Sequence, residues 1–267
     1  MGHAAEVESG QRFEFGENWA RFLSELSDEK IAAAEASLKR MLGVESLQGK
    51  TFLDAGSGSG LFSLAAARLG ATVHSFDFDP SSVKCTERIK QLKFPNCERW
   101  RIESGSVLDQ GYVSALGAFD VVYSWGVLHH TGDMAGAFAN IAGCVKPGGL
   151  LFVAIYNDQG WVSRYWTWVK RLYNRSSIAK PVLIACHAPY LLGLRWLVRA
   201  ISGRLSIERG MTIWYDMIDW LGGYPFEVAK PEQVFAYFRG RGFTLTEMTT
   251  CGGRMGCNEF VFRLASR

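Results

Sequence analysis

The chain has 267 residues, of which 48% are hydrophobic and 21% charged, with a formal net charge of +3. That length builds one large domain, or one domain with an elaborated cap, and the composition excludes a disordered chain. The charge is too small to indicate nucleic acid by itself. Six cysteines, at 85, 97, 144, 186, 251 and 257, include no CxxC pair and no histidine at zinc spacing. No metal site or disulfide framework is expected, and reduced thiols in a cytoplasmic protein are. The N-terminus is polar through Glu17, and no signal peptide is visible.

Two helices are expected before residue 45. The second starts at Ser27-Asp28-Glu29, runs through Ile31 to Met41 and ends at Gly43. Strand one is Thr51-Phe52-Leu53. The turn Asp54-Ala55-Gly56-Ser57-Gly58-Ser59-Gly60 follows, and a helix opens at Leu61. A strand, a glycine-rich turn and a helix make a nucleotide-type loop, because glycines let backbone N–H groups approach a ligand closely. The dinucleotide pattern G-x-G-x-x-G, counted from Gly56, would need a glycine at position 61, which is Leu61. The Gly-Lys-Ser/Thr ending of a P-loop is missing. Asp54 would also repel a phosphate. An acid there suits a ligand with a cationic end and no phosphate; the competing role is a plain tight turn.

Strand two, Thr72-Val73-His74-Ser75-Phe76, ends at Asp77, 23 residues after Asp54. A carboxylate ending strand two accepts both ribose hydroxyls of an adenosine, with simple capping as its other role. Asp79 reads as an N-cap and Pro80 as the first helical residue. Strand three, Arg99-Trp100-Arg101-Ile102-Glu103, leads to Gly105-Ser106-Val107-Leu108-Asp109. Strand four, Phe119 to Ser124, is followed by Trp125-Gly126-Val127-Leu128-His129-His130. Strand five, Leu150 to Asn157, comes after Val145-Lys146-Pro147-Gly148-Gly149. Alternating strands and helices imply a parallel, doubly wound α/β sheet.

The D-x-G-x-G-x-G loop, the acid ending strand two, FDVVYSWGVLHH and VKPGGLLFVAIYN stand in order. Together they resemble class I S-adenosylmethionine-dependent methyltransferases, near the ubiquinone-type and general small-molecule members. The resemblance covers roughly residues 45–157 and 224–264. It implies a Rossmann-like, doubly wound, seven-stranded sheet, mostly parallel, with N-terminal helices and a C-terminal antiparallel hairpin. The hairpin reads Phe243 to Met248 and Glu259 to Leu264, after a helix from Lys230-Pro231-Glu232 to Arg239. The resemblance also implies S-adenosyl-L-methionine (SAM) as cofactor and S-adenosyl-L-homocysteine (SAH) as product. By it, Asp54, Gly56, Ser57, Gly58 and Gly60 form the cofactor loop, and Asp77 and Phe78 follow strand two. Ser106, Val107 and Asp109 lie around the adenine, and Ser124 and Trp125 follow strand four. Many members carry an acid directly after the third-strand glycine. Ser106 stands there in this chain, so Asp109 is the alternative acceptor. Family members often cover the cofactor with an N-terminal helix, which gives Trp19, near Phe15, that role beside ordinary packing.

Methyl transfer to a hydroxyl needs a base. His129 and His130 lie at the carboxyl edge of the sheet, where ligands bind, and an unperturbed imidazole titrates near neutrality. Adjacent histidines cannot both face one site, so one is expected to start the next helix. Tyr156, ending strand five, either hydrogen-bonds the acceptor or packs beneath a lid. Tyr215 and Asp216 belong to an acid-aromatic cluster, Trp214 to Glu227. Asp216 and Asp219 share a helical face. They bind a cationic acceptor, act as bases, or pair with nearby arginines.

Residues 158–223 interrupt the core after strand five as an inserted helical lid. From 161 to 207 there are eight basic residues, Arg164, Lys170, Arg171, Arg175, Lys180, Arg195, Arg199 and Arg204, and no acid. Aromatics interleave with them, and Pro181, His187, Pro189, Gly193 and Arg195 break any run long enough to span a membrane. The stretch is a lid with solvated basic faces, a peripheral contact with an anionic membrane, an RNA surface, or an oligomer interface. The expected division is an N-terminal helical cap over 1–44, a SAM-binding core over 45–157, the lid and acceptor region over 158–223, and the rest of the core over 224–267. The whole reads as SAM-dependent methylation of an oxygen or nitrogen on a small aromatic or lipophilic acceptor. Alternatives are a quinone-type C- or O-methyltransferase at a membrane surface, an RNA methyltransferase, and a SAM-binding scaffold without catalysis. The Asn/Asp-Pro-Pro-aromatic signature of adenine and amide N-methyltransferases is absent, because Ser124-Trp125-Gly126-Val127 follows strand four.

Overall fold

The structure, a computed structural model, describes residues 2–14, 26–202 and 213–266. The side chains of 194–202, 213–216 and 219 lie outside that description. A short helix α1 (His3–Glu8) precedes α2 (Asp28–Leu42). Ser27 caps α2 by accepting the Lys30 N–H, and Gly43 closes it at φ 65°. The helix buries Ile31, Ala34, Leu38, Met41 and Leu42 along one face. Each fully buried large aliphatic side chain contributes about 1.5–3 kcal/mol.

Strands β1 (Thr51–Ala55), β2 (Thr72–Asp77), β3 (Trp100–Ser104), β4 (Phe119–Trp125) and β5 (Val145–Tyr156) run parallel. They are linked by α3 (Leu61–Arg68), α4 (Pro80–Lys93), α5 (Gln110–Ala115) and α6 (Met134–Gly143). Asp79 caps α4 by accepting the Ser81 N–H, with Pro80 in its first turn. The sheet order is β3-β2-β1-β4-β5-β7-β6, and β7 (Cys257–Leu264) runs antiparallel to both β5 and β6 (Phe243–Thr249). This is the seven-stranded Rossmann-like α/β fold. β5 begins five residues before Leu150, because Val145 already pairs with Phe119 across a register shift in β4. Gly149 permits that close approach: a Cβ there would lie 3.0 Å from the Asp120 carbonyl oxygen.

Alternation along the strands divides the core. Leu53, Val122, Leu151 and Phe260 face α5, α6 and α10 (Pro231–Arg239). Phe52, Tyr123, Phe152 and Val261 face α2, α3 and α4. The insertion forms α7 (Trp161–Arg175), α8 (Ala179–Ser202) and α9 (Ile213–Gly222). Its own core holds Trp166, Val169, Tyr173, Leu183, Met217, Leu221 and Phe226. No described helix is long and apolar enough to cross a membrane.

Candidate active site

Asp54 is the fourth residue of β1 and buried. Its carboxylate accepts the Ser63 hydroxyl from α3, and Ser63 shares a 2.7 Å hydrogen bond with Ser75. Trp100 donates its indole N–H to the same Ser75 oxygen. Burial pushes the Asp54 carboxyl up to about 7 against the Ser63 bond, and the Asp77 charge adds to the rise. The loop that follows depends on missing side chains. Gly56 has φ 86°, and a Cβ on it would come within 2.4 Å of Val127. Gly60 opens α3 at φ 80°, where a Cβ would lie 2.9 Å from the Thr86 backbone. Gly56 and Ser57 donate their N–H groups to the Phe76 carbonyl at 2.9 and 3.1 Å. Asp77 therefore stands beside the loop. It accepts the Gly58 and Asp79 N–H groups, each at 2.9 Å. Burial pushes its carboxyl up to about 6 in spite of those two bonds. The carboxylates of Asp54 and Asp77, with no cation in Asp54–Gly60, form an edge that favours a positive, hydroxyl-bearing ligand over a phosphate.

The remaining cofactor candidates take distinct places. The Ser57 hydroxyl is pinned to Thr86 at 3.0 Å. Phe78 packs edge-on to His3 at 5.5 Å and lies 5.0 Å from the Arg12 guanidinium. Gly105 donates to the Asp77 carbonyl and brings the β3 turn alongside. There the Ser106 oxygen accepts the Leu108 N–H, and the buried Val107 accepts Asn140 through its carbonyl. Asp109 is exposed and caps α5 through the Tyr112 N–H. Ser124 is fully buried, and its hydroxyl donates to the Ala55 carbonyl, joining β4 to β1. Trp125 donates its indole N–H to Glu259 at 2.7 Å. Trp19 lies outside the described residues.

A short 3₁₀ turn, Leu128–His130, follows β4. His129 is fully buried, with Nδ1 accepting the Tyr156 N–H at 3.4 Å and the Ala154 carbonyl adjacent. Its Nε2 is buried with no partner among the described residues. His130 donates from Nδ1 to the Pro225 carbonyl at 2.6 Å, and its own carbonyl accepts Arg12. Burial pushes the His130 imidazole down to about 3 and His129 well below the usual range, with His130 and Lys170 adding to the latter. Both rings are neutral at pH 7, whereas the sequence alone places an imidazole near its midpoint. Neither starts α6, whose cap is Asp133.

Tyr156 packs beneath the lid, 4.0 Å from the His129 ring, 5.7 Å from Trp220 and 5.2 Å from Phe226. The Trp220 Nε1 is also buried and unpartnered among the described residues. Tyr215 and Asp216 lie on α9, and their side chains are outside the description.

Three contributors are not apparent from the sequence reading. Lys170 counts there among solvated basic residues, yet it is fully buried. Its ammonium donates to the Trp220 carbonyl and lies 4.4 Å from the Trp220 ring and 4.7 Å from the Phe226 ring. The helical spacing Ser163, Trp166, Lys170, Tyr173 carries the signal, because it puts Lys170 on the inward stripe of α7. Glu227 donates its N–H to the His129 carbonyl and accepts the Gly132 and Met134 N–H groups, so it holds the histidine turn. Glu259 meets Trp125 across the sheet, a pairing visible only once β7 is placed beside β5.

Residues 53–151 match the family model of a methyltransferase domain. Over 122 residues, 43% of this chain and 45% of the relative, the chain is 33% identical to a ubiquinone biosynthesis O-methyltransferase from Methylobacterium sp. (strain 4-46). A 29% match to the enzyme of that name from Methylocella silvestris covers 58% of this chain and 65% of the relative. The chain spans about half the length of the first curated relatives it matches. The magnesium protoporphyrin IX methyltransferase of Synechocystis PCC 6803, solved with bound SAH, has a TM-score of 0.53 at 15% identity. That alignment covers 89% of this chain and 83% of the other, and the likeness is one of fold. The matched segment and the strand order together mark residues 53–151 as a methyltransferase domain on a Rossmann-like fold.

Proposed function

We propose that the chain binds SAM along the Asp54–Asp77 edge and methylates an oxygen or nitrogen of a small aromatic or lipophilic acceptor held beneath the lid. The observation that carries this reading is the buried carboxylate of Asp54 and the half-buried one of Asp77 beside a glycine loop without a cation. Asp77 accepts the ribose hydroxyls and Asp54 faces the cationic end. Gly56, Gly58 and Gly60 admit the ligand to the backbone, and Ser106, Val107 and Asp109 flank the adenine. SAM, when bound, supplies a methyl group already activated on a sulfonium. The protein's own work is to align the acceptor and exclude water. Tyr156, Trp220 and Phe226 do the second. His129 takes the acceptor proton at Nε2 once its ring adopts the tautomer protonated on Nδ1, which gives up the 3.4 Å hydrogen bond from the Tyr156 N–H. Residues 1–44 serve as cap, 45–157 and 224–267 as core, and 158–223 as lid. The names of the curated relatives favour oxygen as the methylated atom. Calorimetric titration tests the cofactor: SAH binds at one site per chain, and NAD and ATP do not. Comparable binding of either nucleotide would contradict the reading.

The outer face of the lid supports peripheral contact with an anionic membrane. Trp161, Tyr165 and Trp168 stand exposed on one stripe of α7 with Arg164 and Arg171, and Ile178, Val182 and Tyr190 are also exposed in the insertion. Amphipathic aromatic rings sit well at the interface, and each basic residue near an anionic surface contributes about 1 kcal/mol. The protein is expected to sediment with vesicles containing phosphatidylglycerol and not with phosphatidylcholine alone. Trp161→Ala with Trp168→Ala should release it. Equal recovery from both vesicles, unchanged by the substitutions, would remove the membrane contact.

A further inference from the structure

Two buried nitrogens without a hydrogen-bond partner among the described residues, His129 Nε2 and Trp220 Nε1, belong to rings that pack on the same side chain. The Tyr156 ring centre lies 4.0 Å from that of His129 and 5.7 Å from that of Trp220. His129 comes from the turn after β4 and Trp220 from the lid helix α9, so the pair spans the contact between core and lid. The indole packs against Trp166 at 5.4 Å and Phe226 at 6.1 Å, with the Lys170 ammonium 4.4 Å from its ring centre. The Lys170 charge also reaches His129, where it adds to burial and to His130 in keeping the imidazole neutral. A donor left unpaired in the interior is costly, so a site that keeps one there gains when a ligand supplies the missing partner.

We propose that Trp220 is a specificity-determining residue whose indole N–H binds a carbonyl or carboxylate oxygen of the acceptor, away from the hydroxyl that meets His129. This rests on the methyl-transfer reading above. An indole N–H donates and cannot accept, so its partner must offer a lone pair. The Lys170 ammonium beside the indole favours an electron-rich oxygen and disfavours a cationic group. A planar molecule lying along Tyr156 meets both nitrogens, which makes a hydroxyaryl carbonyl compound the acceptor class. The donor belongs to the insertion, so the lid selects the acceptor as well as excluding water.

The test follows methyl transfer from labelled SAM to the ortho, meta and para isomers of hydroxybenzaldehyde and of ethylphenol. The two sets match in size and differ in the carbonyl oxygen. Wild-type protein is expected to prefer one hydroxybenzaldehyde over the matching ethylphenol in kcat/KM, by about tenfold. Trp220→Phe keeps a ring for Tyr156 and Trp166 and removes the N–H. It should lower kcat/KM for that aldehyde about tenfold more than for the ethylphenol, with SAH affinity held. The aldehyde hydroxyl is the more acidic, and the variant controls for this, because acidity is a property of the substrate alone. The wild-type preference tests the proposal independently of the variant. Equal losses on both substrates would make Trp220 a packing residue, and a preference that survives the substitution would put the oxygen elsewhere; either overturns the proposal. So does a wild-type protein that binds SAH and methylates the two sets equally or not at all, whereas one that fails to bind SAH removes the cofactor reading together with it.

Discussion

Asp77→Ala is expected to weaken SAH binding about 100-fold or more. In the proposed cofactor placement two ribose hydroxyls donate to this one carboxylate, and hydrogen bonds to a charged group contribute about 1.5–3 kcal/mol each, so the pair would account for at least two decades. The carboxylate also holds the Gly58 and Asp79 N–H groups and hence the shape of the loop. Asp77→Asn separates these roles, because it keeps an acceptor for the backbone and removes the charge. Its loss should be intermediate. The wild-type titration carries a second signature. Burial raises the free Asp77 carboxyl to about 6, and the ligand needs the ionised form. Affinity is therefore full at pH 8 and falls as pH drops through 6, by about tenfold at pH 5. Asp54, raised to about 7, moves in the same direction and starts the decline earlier. An affinity that rises on acidification would contradict both assignments.

His129→Ala is expected to lower turnover by about 10²–10⁴-fold and leave SAH affinity unchanged. That is the range for removal of a general base. The ring is fully buried, oriented through Nδ1 by the end of β5, and its Nε2 has no partner among the described residues. His130→Ala should have a smaller effect on rate, since both the ring and the carbonyl of His130 serve the Pro225 and Arg12 contacts. Steady-state rates with SAH titrations on both variants make the comparison. Rates within a factor of about two of wild type for both would dismiss a histidine base. Because the imidazole is held neutral by burial, the wild-type rate should show no histidine midpoint between pH 6 and 8.

Much of the architecture is legible in the residues because its signals are local. Ser27 with Gly43, and Asp79 with Pro80, mark helix ends through single side chains. The glycines of Gly56-Ser57-Gly58-Ser59-Gly60 mark a turn that no bulkier residue follows. The start of β5 is not local, since Lys146-Pro147-Gly148-Gly149 looks like a turn and becomes strand through pairing on both sides. The candidate site divides in the same way. The loop and Asp77 follow from spacing. Ser124 looks like a ligand by position, yet its hydroxyl faces the Ala55 carbonyl, a matter of side-chain direction. Lys170 and Glu259 depend on which helix or strand comes to lie opposite, and a basic or acidic residue in a row of others does not announce burial.

The most direct test of methyl transfer uses SAM labelled in its methyl group. The purified protein and labelled SAM are added to an extract of the source cells, and products are partitioned between organic solvent and water. The account predicts label in a low-mass product, formed only with the protein present, favouring the organic layer and lost with Asp77→Ala. No protein-dependent product, or label only in acid-precipitable RNA or protein, would contradict it.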